Sequence, residues 1–173
     1  PILQNVKIQA DKDVLLMGTD LEVGIQYQIP AEVKEKGSML LPAQRLGAIL
    51  RETMEEKIKI ESDNNVARIE TKDSKFKIMG SDPVDYPDFP GFDMTQAMTM
   101  ESKGLREMIR KTLFAVSTET TRYALSGLLL ELKKKEVRMV GSDGKRLALI
   151  HRKTEATIPK EAKVIISPKG MNL

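Results

Sequence analysis

Three short polar runs hold the residue types that could do chemistry. Gly18-Thr19-Asp20-Leu21 and Gly141-Ser142-Asp143-Gly144-Lys145-Arg146 combine hydroxyl, carboxylate and glycine, and Ser167-Pro168-Lys169-Gly170 sets a lysine beside a glycine. Such residues can cradle phosphate or ligate calcium. A phosphate loop needs a glycine-rich lead into its lysine, and a calcium loop needs carboxylates at alternate positions; none of the three runs has either. Asp and Gly also make tight turns, so the first two runs read as strand-to-strand turns. His151, the single histidine, sits in the strand pattern Leu149-Ile150-His151-Arg152 and reads as structural. Asp82, Asp85, Asp88 and Asp93 could gather a cation but read as a solvated acidic linker. The chain has no cysteine, which removes thiol nucleophiles, thiolate metal sites and disulfides. A Ser–His–Asp arrangement could use only His151. The expectation is a protein without catalytic site, metal or cofactor.

The elements that position these runs follow from apolar spacing. Val6, Ile8 and Ala10 alternate with polar residues, Val14–Met17 follows a turn at 11–13, and Leu21, Val23, Ile25 and Tyr27 alternate as a half-buried strand. Met39–Leu41 is a short buried strand. Leu46, Ile49 and Leu50 mark a helix over Ala43–Thr53, with Pro42 at its start. Lys57–Ser62, Val66–Thr71 and Lys75–Met79 are strands split by the Asp63-Asn64-Asn65 and Lys72-Asp73-Ser74 turns. Residues 81–91 hold three of the eight prolines and read as an extended connector. A strand is expected at Ala97–Glu101 and a helix at Ser102–Val116, with Leu105, Met108, Ile109 and Thr112 on one face. Strands at Leu125–Leu132, Val137–Gly141 and Leu147–Arg152 follow.

These elements repeat. Leu3–Ala10, a polar turn and Val14–Asp20 resemble Leu125–Leu132, a lysine-rich turn and Val137–Asp143. Leu40-Leu41-Pro42 and Ile165-Ile166-Ser167-Pro168 then both read as a strand running into a helix start. The first copy opens at its hairpin and the second breaks off at its closing helix, so the pattern predicts a piece of a longer repeat protein. Charge divides in the same way. Residues 1–100 carry 12 Lys/Arg against 17 Asp/Glu, whereas residues 101–153 carry 13 against 6. A basic second half is suited to a polyanionic partner, although so moderate an excess with few aromatic residues also fits an uneven solvated surface. No apolar run approaches the ~20 residues that span a bilayer, and the opening residues carry no basic leader. A cytoplasmic protein with no membrane contact is expected.

Several runs, in order along nearly the whole chain, resemble the bacterial DNA sliding clamp, the beta subunit of DNA polymerase III. They are Pro1–Val6, Gly18–Val23, Leu41-Pro42-Ala43, Asp85-Tyr86-Pro87, Phe114–Ser117, Thr121–Gly127 and, most specific, Ser142–Ala148. The resemblance implies an α+β clamp fold of repeated domains, with outer antiparallel sheets and inner, pore-lining helices. It implies a first domain at residues 1–95, lacking its initial strand and helix, and a second at 96–173, lacking its C-terminal half. The implied function is that of a non-enzymatic processivity factor, a ring-forming homodimer that slides on double-stranded DNA without reading sequence. Its implied partners are the DNA polymerase III catalytic subunit, the clamp loader and other clamp-motif proteins. The residues facing DNA would be Arg51, Arg106, Arg110, Arg122, Tyr123 and Lys169. A peptide pocket would use Leu125, Ser142, Gly144, Lys145, Arg146 and Leu147. Family members usually carry Thr and His where this chain has Ser142 and Lys145, and Glu119 is acidic in the loop that resembles the family's DNA-touching loop. The alternative is a β-rich, non-catalytic adaptor that binds proteins without encircling DNA.

Overall fold

A computed structural model describes residues 1–91, 95, 97–118, 125–156, 158 and 160–171. The chain divides into two compact units, Pro1–Phe89 and Pro90–Leu173. In the first, β1 (Asn5–Ala10), β2 (Val14–Thr19), β3 (Gly24–Ile29) and β4 (Gly37–Pro42) form an antiparallel sheet in the order β3-β2-β1-β4. Helix α1 (Ala43–Glu52) follows, then β5 (Lys59–Asp63), β6 (Val66–Glu70) and β7 (Lys75–Met79) as a three-stranded sheet. In the second unit α2 (Ser102–Thr112) precedes β8 (Leu128–Lys133), β9 (Glu136–Ser142), β10 (Leu147–Lys153) and β11 (Ala162–Ile166). Their order, β10-β9-β8-β11, repeats that of the first sheet strand for strand, and the short α3 (Pro168–Met171) stands where α1 does.

Each unit has its own core. In the first, Ile8, Met39 and Leu41 of the four-stranded sheet meet Leu46 of α1 and Ala67, Ile69 and Ile78 of the three-stranded sheet. In the second, Met108 of α2 packs on Leu128, Val137 and Met139, with Val116 and Ile158 at the margin and Met171 of α3 against it. The turn between β5 and β6 needs only Asn64 and Asn65, whose φ angles of 45° and 62° give the hairpin the left-handed pair that suits strand twist.

Several expectations are corrected. No strand forms at Ala97–Glu101; Met98 and Met100 pack on the second core without ladder bonds, so their apolar alternation comes from burial alone. The third strand starts at Gly24, because Leu21 takes φ 72° in a turn. It is an edge strand rather than half-buried, with Ile25 51% and Tyr27 67% exposed. Helix α2 stops at Thr112 and tightens into a 3-10 turn over Leu113–Ala115, and β8 begins at Leu128 rather than Leu125. Nor is the connector merely solvated. Ser81 exchanges backbone hydrogen bonds with Leu40, and the buried Tyr86 donates its hydroxyl to the carbonyls of Asn5 and Met17 at 3.2 and 3.3 Å. Asp82, Asp85 and Asp88 remain exposed along it, while Asp93 lies outside the described residues.

Candidate functional site

The two Asp-bearing turns share one set of side-chain-to-backbone hydrogen bonds. After β9, Ser142 Oγ donates to the Arg146 carbonyl at 2.8 Å and accepts the Gly144 N–H at 3.1 Å. Asp143 Oδ1 accepts the N–H groups of Lys145 and Arg146, both at 2.9 Å. After β2, Thr19 Oγ1 donates to the Val23 carbonyl at 3.0 Å and accepts the Leu21 N–H at 3.0 Å. Asp20 Oδ1 accepts Glu22 and Val23 N–H at 3.1 and 2.8 Å. The third position is left-handed in both, Leu21 at 72° and Gly144 at 87°. A hydroxyl and a carboxylate thus tie one turn, each satisfying two backbone groups that would otherwise face solvent.

The side chains set the two turns apart. Arg146 Nε donates to Asp143 Oδ2 at 3.0 Å, and its guanidinium lies 5.6 Å from the centroid of the Phe114 ring. That is the geometry of a cation–π contact. The amides of Lys145 and Arg146, then the Arg146 charge, hold the Asp143 carboxyl below its ordinary range. Leu147 follows, 66% exposed, and Phe114 is 60% exposed. An apolar residue, a fixed guanidinium and an aromatic ring therefore belong to one preorganised turn and the helix end beside it.

Close packing brings these segments together. An added Cβ on Gly141 would stand 2.3 Å from the Thr112 carbonyl oxygen, so only glycine lets the end of α2 approach β9 here. Beyond it, Ser117 N–H donates to the Leu125 carbonyl at 3.0 Å, tying Leu125 to the same helix end. The β8–β9 register, with Leu129 opposite Val140, carries the start of β8 to the same sheet end as Ser142. Of the expected peptide residues, Ser142, Gly144, Lys145, Arg146 and Leu147 form this turn and its exit, and Leu125 reaches that sheet end. Asp143, which organises the turn, and Phe114, which holds Arg146, were not among the expected site residues. The position of Asp20 in the repeat marks Asp143; no local pattern marks Phe114.

Of the expected DNA-facing residues, Arg51, Arg106, Arg110 and Lys169 lie on helices. Arg106 and Arg110 are exposed on α2 and form no ion pair among the described residues. Lys103, absent from the expected set, completes an i, i+3, i+7 stripe with them, opposite the face of Leu105, Met108, Ile109 and Thr112 that meets the sheet. On the neighbouring face the cations are paired, because Glu107 binds Lys111 at 2.7 Å and also pairs with Arg152. Arg51 is exposed on α1, its Nη1 lying along the helix over Gly47. Lys169 is exposed in α3. Arg122 and Tyr123 lie outside the described residues, as does Glu119. Among the described residues no three His, Asp or Glu side chains are placed to hold a metal ion, and no helix is long and apolar enough to cross a membrane.

Comparison with known proteins agrees with this fold. The model of the DNA polymerase III beta subunit N-terminal domain matches residues 1–90, and that of its central domain matches residues 99–173. The beta sliding clamp of Chlamydia muridarum is 35% identical over 152 residues, covering 87% of this chain and 42% of that protein. The crystal structure of the DNA polymerase sliding clamp from Bacillus subtilis aligns with a TM-score of 0.93 at 28% identity, covering 99% of this chain and 48% of that one. The DNA polymerase III subunit beta from Pseudomonas aeruginosa aligns at 0.90 and 26%, with the same coverage. The chain spans less than half the length of these relatives. Two units whose four-stranded sheets share one strand order, each matched by a successive domain of that protein, establish that the chain belongs to the DNA polymerase III beta subunit family.

Proposed function

We propose that this chain forms the first domain (residues 1–95) and part of the second (96–173) of a ring-shaped processivity clamp that slides on duplex DNA. The observation that carries the reading is the face of α2, where Lys103, Arg106 and Arg110 project away from the core and Arg106 and Arg110 keep their charge uncompensated. Point charges along a helix attract phosphate without distinguishing bases, as a sliding protein requires. Arg51 and Lys169 extend the set from the two equivalent helices, and Arg122 and Tyr123 complete it. The role is non-catalytic and cytoplasmic: two copies of the full-length protein close the ring, and enclosure holds the polymerase on its template.

The turn Ser142–Leu147 with Leu125 serves as the docking site for peptide segments of the polymerase catalytic subunit, the clamp loader and other clamp-motif proteins. Leu125 and Leu147 offer apolar contact, Gly144 admits a close backbone, and Arg146 presents a guanidinium already oriented by Asp143 and Phe114. Fluorescence anisotropy with duplexes of unrelated sequence tests the DNA reading. Arg106→Gln with Arg110→Gln is expected to lower affinity equally for all of them and to reduce the salt slope of log K by about 2, at ~0.9 per phosphate contact. Unchanged slopes would refute it.

A further inference from the structure

The opposite end of the second sheet carries a second basic feature. Lys134 and Lys135 form the β8–β9 turn; Lys133 and Lys153 flank it, both in register with Glu136. Lys160 follows on the next segment. All five are exposed, and none forms an ion pair among the described residues. Lys111 and Lys163 of the same unit differ, since each holds a carboxylate within 3.0 Å. The carboxylates at this end only partly offset the charge. Glu136 is engaged by Arg138 at 3.1 Å, Glu161 accepts the Lys134 N–H at 3.4 Å, and Glu155 lines a depression of about 350 Å³ with Lys134, Lys135, Thr154 and Ile158.

This end is also where α2 begins. Gly104 lies against Arg152, Glu107 pairs with Arg152, and Thr112 reaches Gly141, so the helix runs from the lysine end of β9 and β10 towards the Asp143 turn. The stripe of Lys103, Arg106 and Arg110 therefore starts beside the lysine turn. Two basic surfaces of one unit thus share an end of the sheet, and a polyanion following the helix reaches the turn at its end.

We propose that Lys133, Lys134, Lys135 and Lys153 form a further phosphate-contact site that extends the α2 track around the end of the sheet and takes the backbone of duplex nucleic acid. The inference rests on the duplex-binding reading above. Duplex phosphate suits the site better than an apolar ligand, because the lysines are flexible point charges at a turn tip and, among the described residues, no aromatic side chain lines the depression.

The test uses the 173-residue chain and a labelled duplex, with a single strand of equal length in parallel, across about 50 to 200 mM salt. Lys133→Gln, Lys134→Gln and Lys135→Gln together are expected to lower the duplex slope of log K against log salt by about 3, with equal loss on unrelated sequences. Acetylation footprinting of the unaltered chain should show Lys134 and Lys135 protected by duplex, which removes any dependence on how the variant folds. If Lys103→Gln, Arg106→Gln and Arg110→Gln reduce the slope while the turn variant does not, the site is overturned and the duplex reading stands. If the unaltered chain shows no salt-dependent duplex binding, both fall. An effect confined to the single strand, or lysine-dependent binding of an acidic peptide with duplex affinity unchanged, also overturns the proposal.

Discussion

Gly141→Ala isolates how α2 is seated. The new Cβ would stand 2.3 Å from the Thr112 carbonyl oxygen, and the pair must separate beyond 3.0 Å. Neither side yields easily. Thr112 is fully buried, its hydroxyl donates to the Met108 carbonyl at 2.8 Å, and Met108 is fully buried in the second core. Overpacking of this kind costs about 1–3 kcal/mol. At roughly 4–8 °C per kcal/mol for a domain of this size, the second unit should melt about 5–20 °C lower. Gly18 supplies the internal control, since it precedes Thr19 as Gly141 precedes Ser142 and an added Cβ there meets nothing within 4 Å. Gly18→Ala should be neutral, or stabilising by up to ~1 kcal/mol through lower unfolded-state entropy. Calorimetry on the two variants reads the difference directly. Equal melting of both would mean that Thr112 does not bear on Gly141, and the account of the helix seat would fail.

Gly104→Ala should do the reverse, raising the stability of the second unit by up to ~1 kcal/mol, because α2 gains helix propensity and the new methyl meets only the Arg152 side chain at 3.8 Å; a melting point below that of the unaltered chain would contradict this. Leu125→Ala and Arg146→Ala in the full-length protein should each weaken binding of a fluorescent polymerase tail peptide by about tenfold or more, with ring closure unchanged; unaltered titrations would remove the docking assignment. In acid, the Asp143 turn keeps its full stabilisation above the ordinary value of 3.8 and loses it as pH falls through the lower folded value. Amide NMR of Lys145 and Arg146 should therefore report a midpoint below 3.8, and one at or above it would count against the turn's bonding. Glu131, held low chiefly by its hydrogen bond from Lys163, should likewise titrate below 4.5.

Most elements were legible because their apolar residues follow the period of the element that buries them. Leu46 and Ile49 on α1 and Val137 and Met139 on β9 are of this kind, while the Asn64-Asn65 turn is marked by its residue types. Met98 and Met100 misled because a segment can bury alternate side chains without pairing its backbone. Leu21 misled because the hydroxyl of Thr19 and the carboxylate of Asp20 hold a leucine in a left-handed turn, against its own preference. At the candidate site, the Ser142–Leu147 turn could be located from its residue types. The contact of Phe114 with Arg146 could not, since 32 positions separate them and only the folded end of α2 makes them neighbours.

The strand order has a consequence for how the chain reaches its fold. In each four-stranded sheet, the first strand pairs early with the next along a short turn, but its other edge waits for a strand some 30 residues away in sequence, β4 for β1 and β11 for β8. The hairpins β1–β2 and β8–β9 can close within about 1–10 μs, whereas the returning strand must first meet the entropy of the longer loop. In the first unit that late strand brings Met39, Leu40 and Leu41, among the most buried side chains present. The early hairpin is thus left without its core until β4 docks, and amides of β1 facing β4 should gain exchange protection together with those of the core rather than with the hairpin.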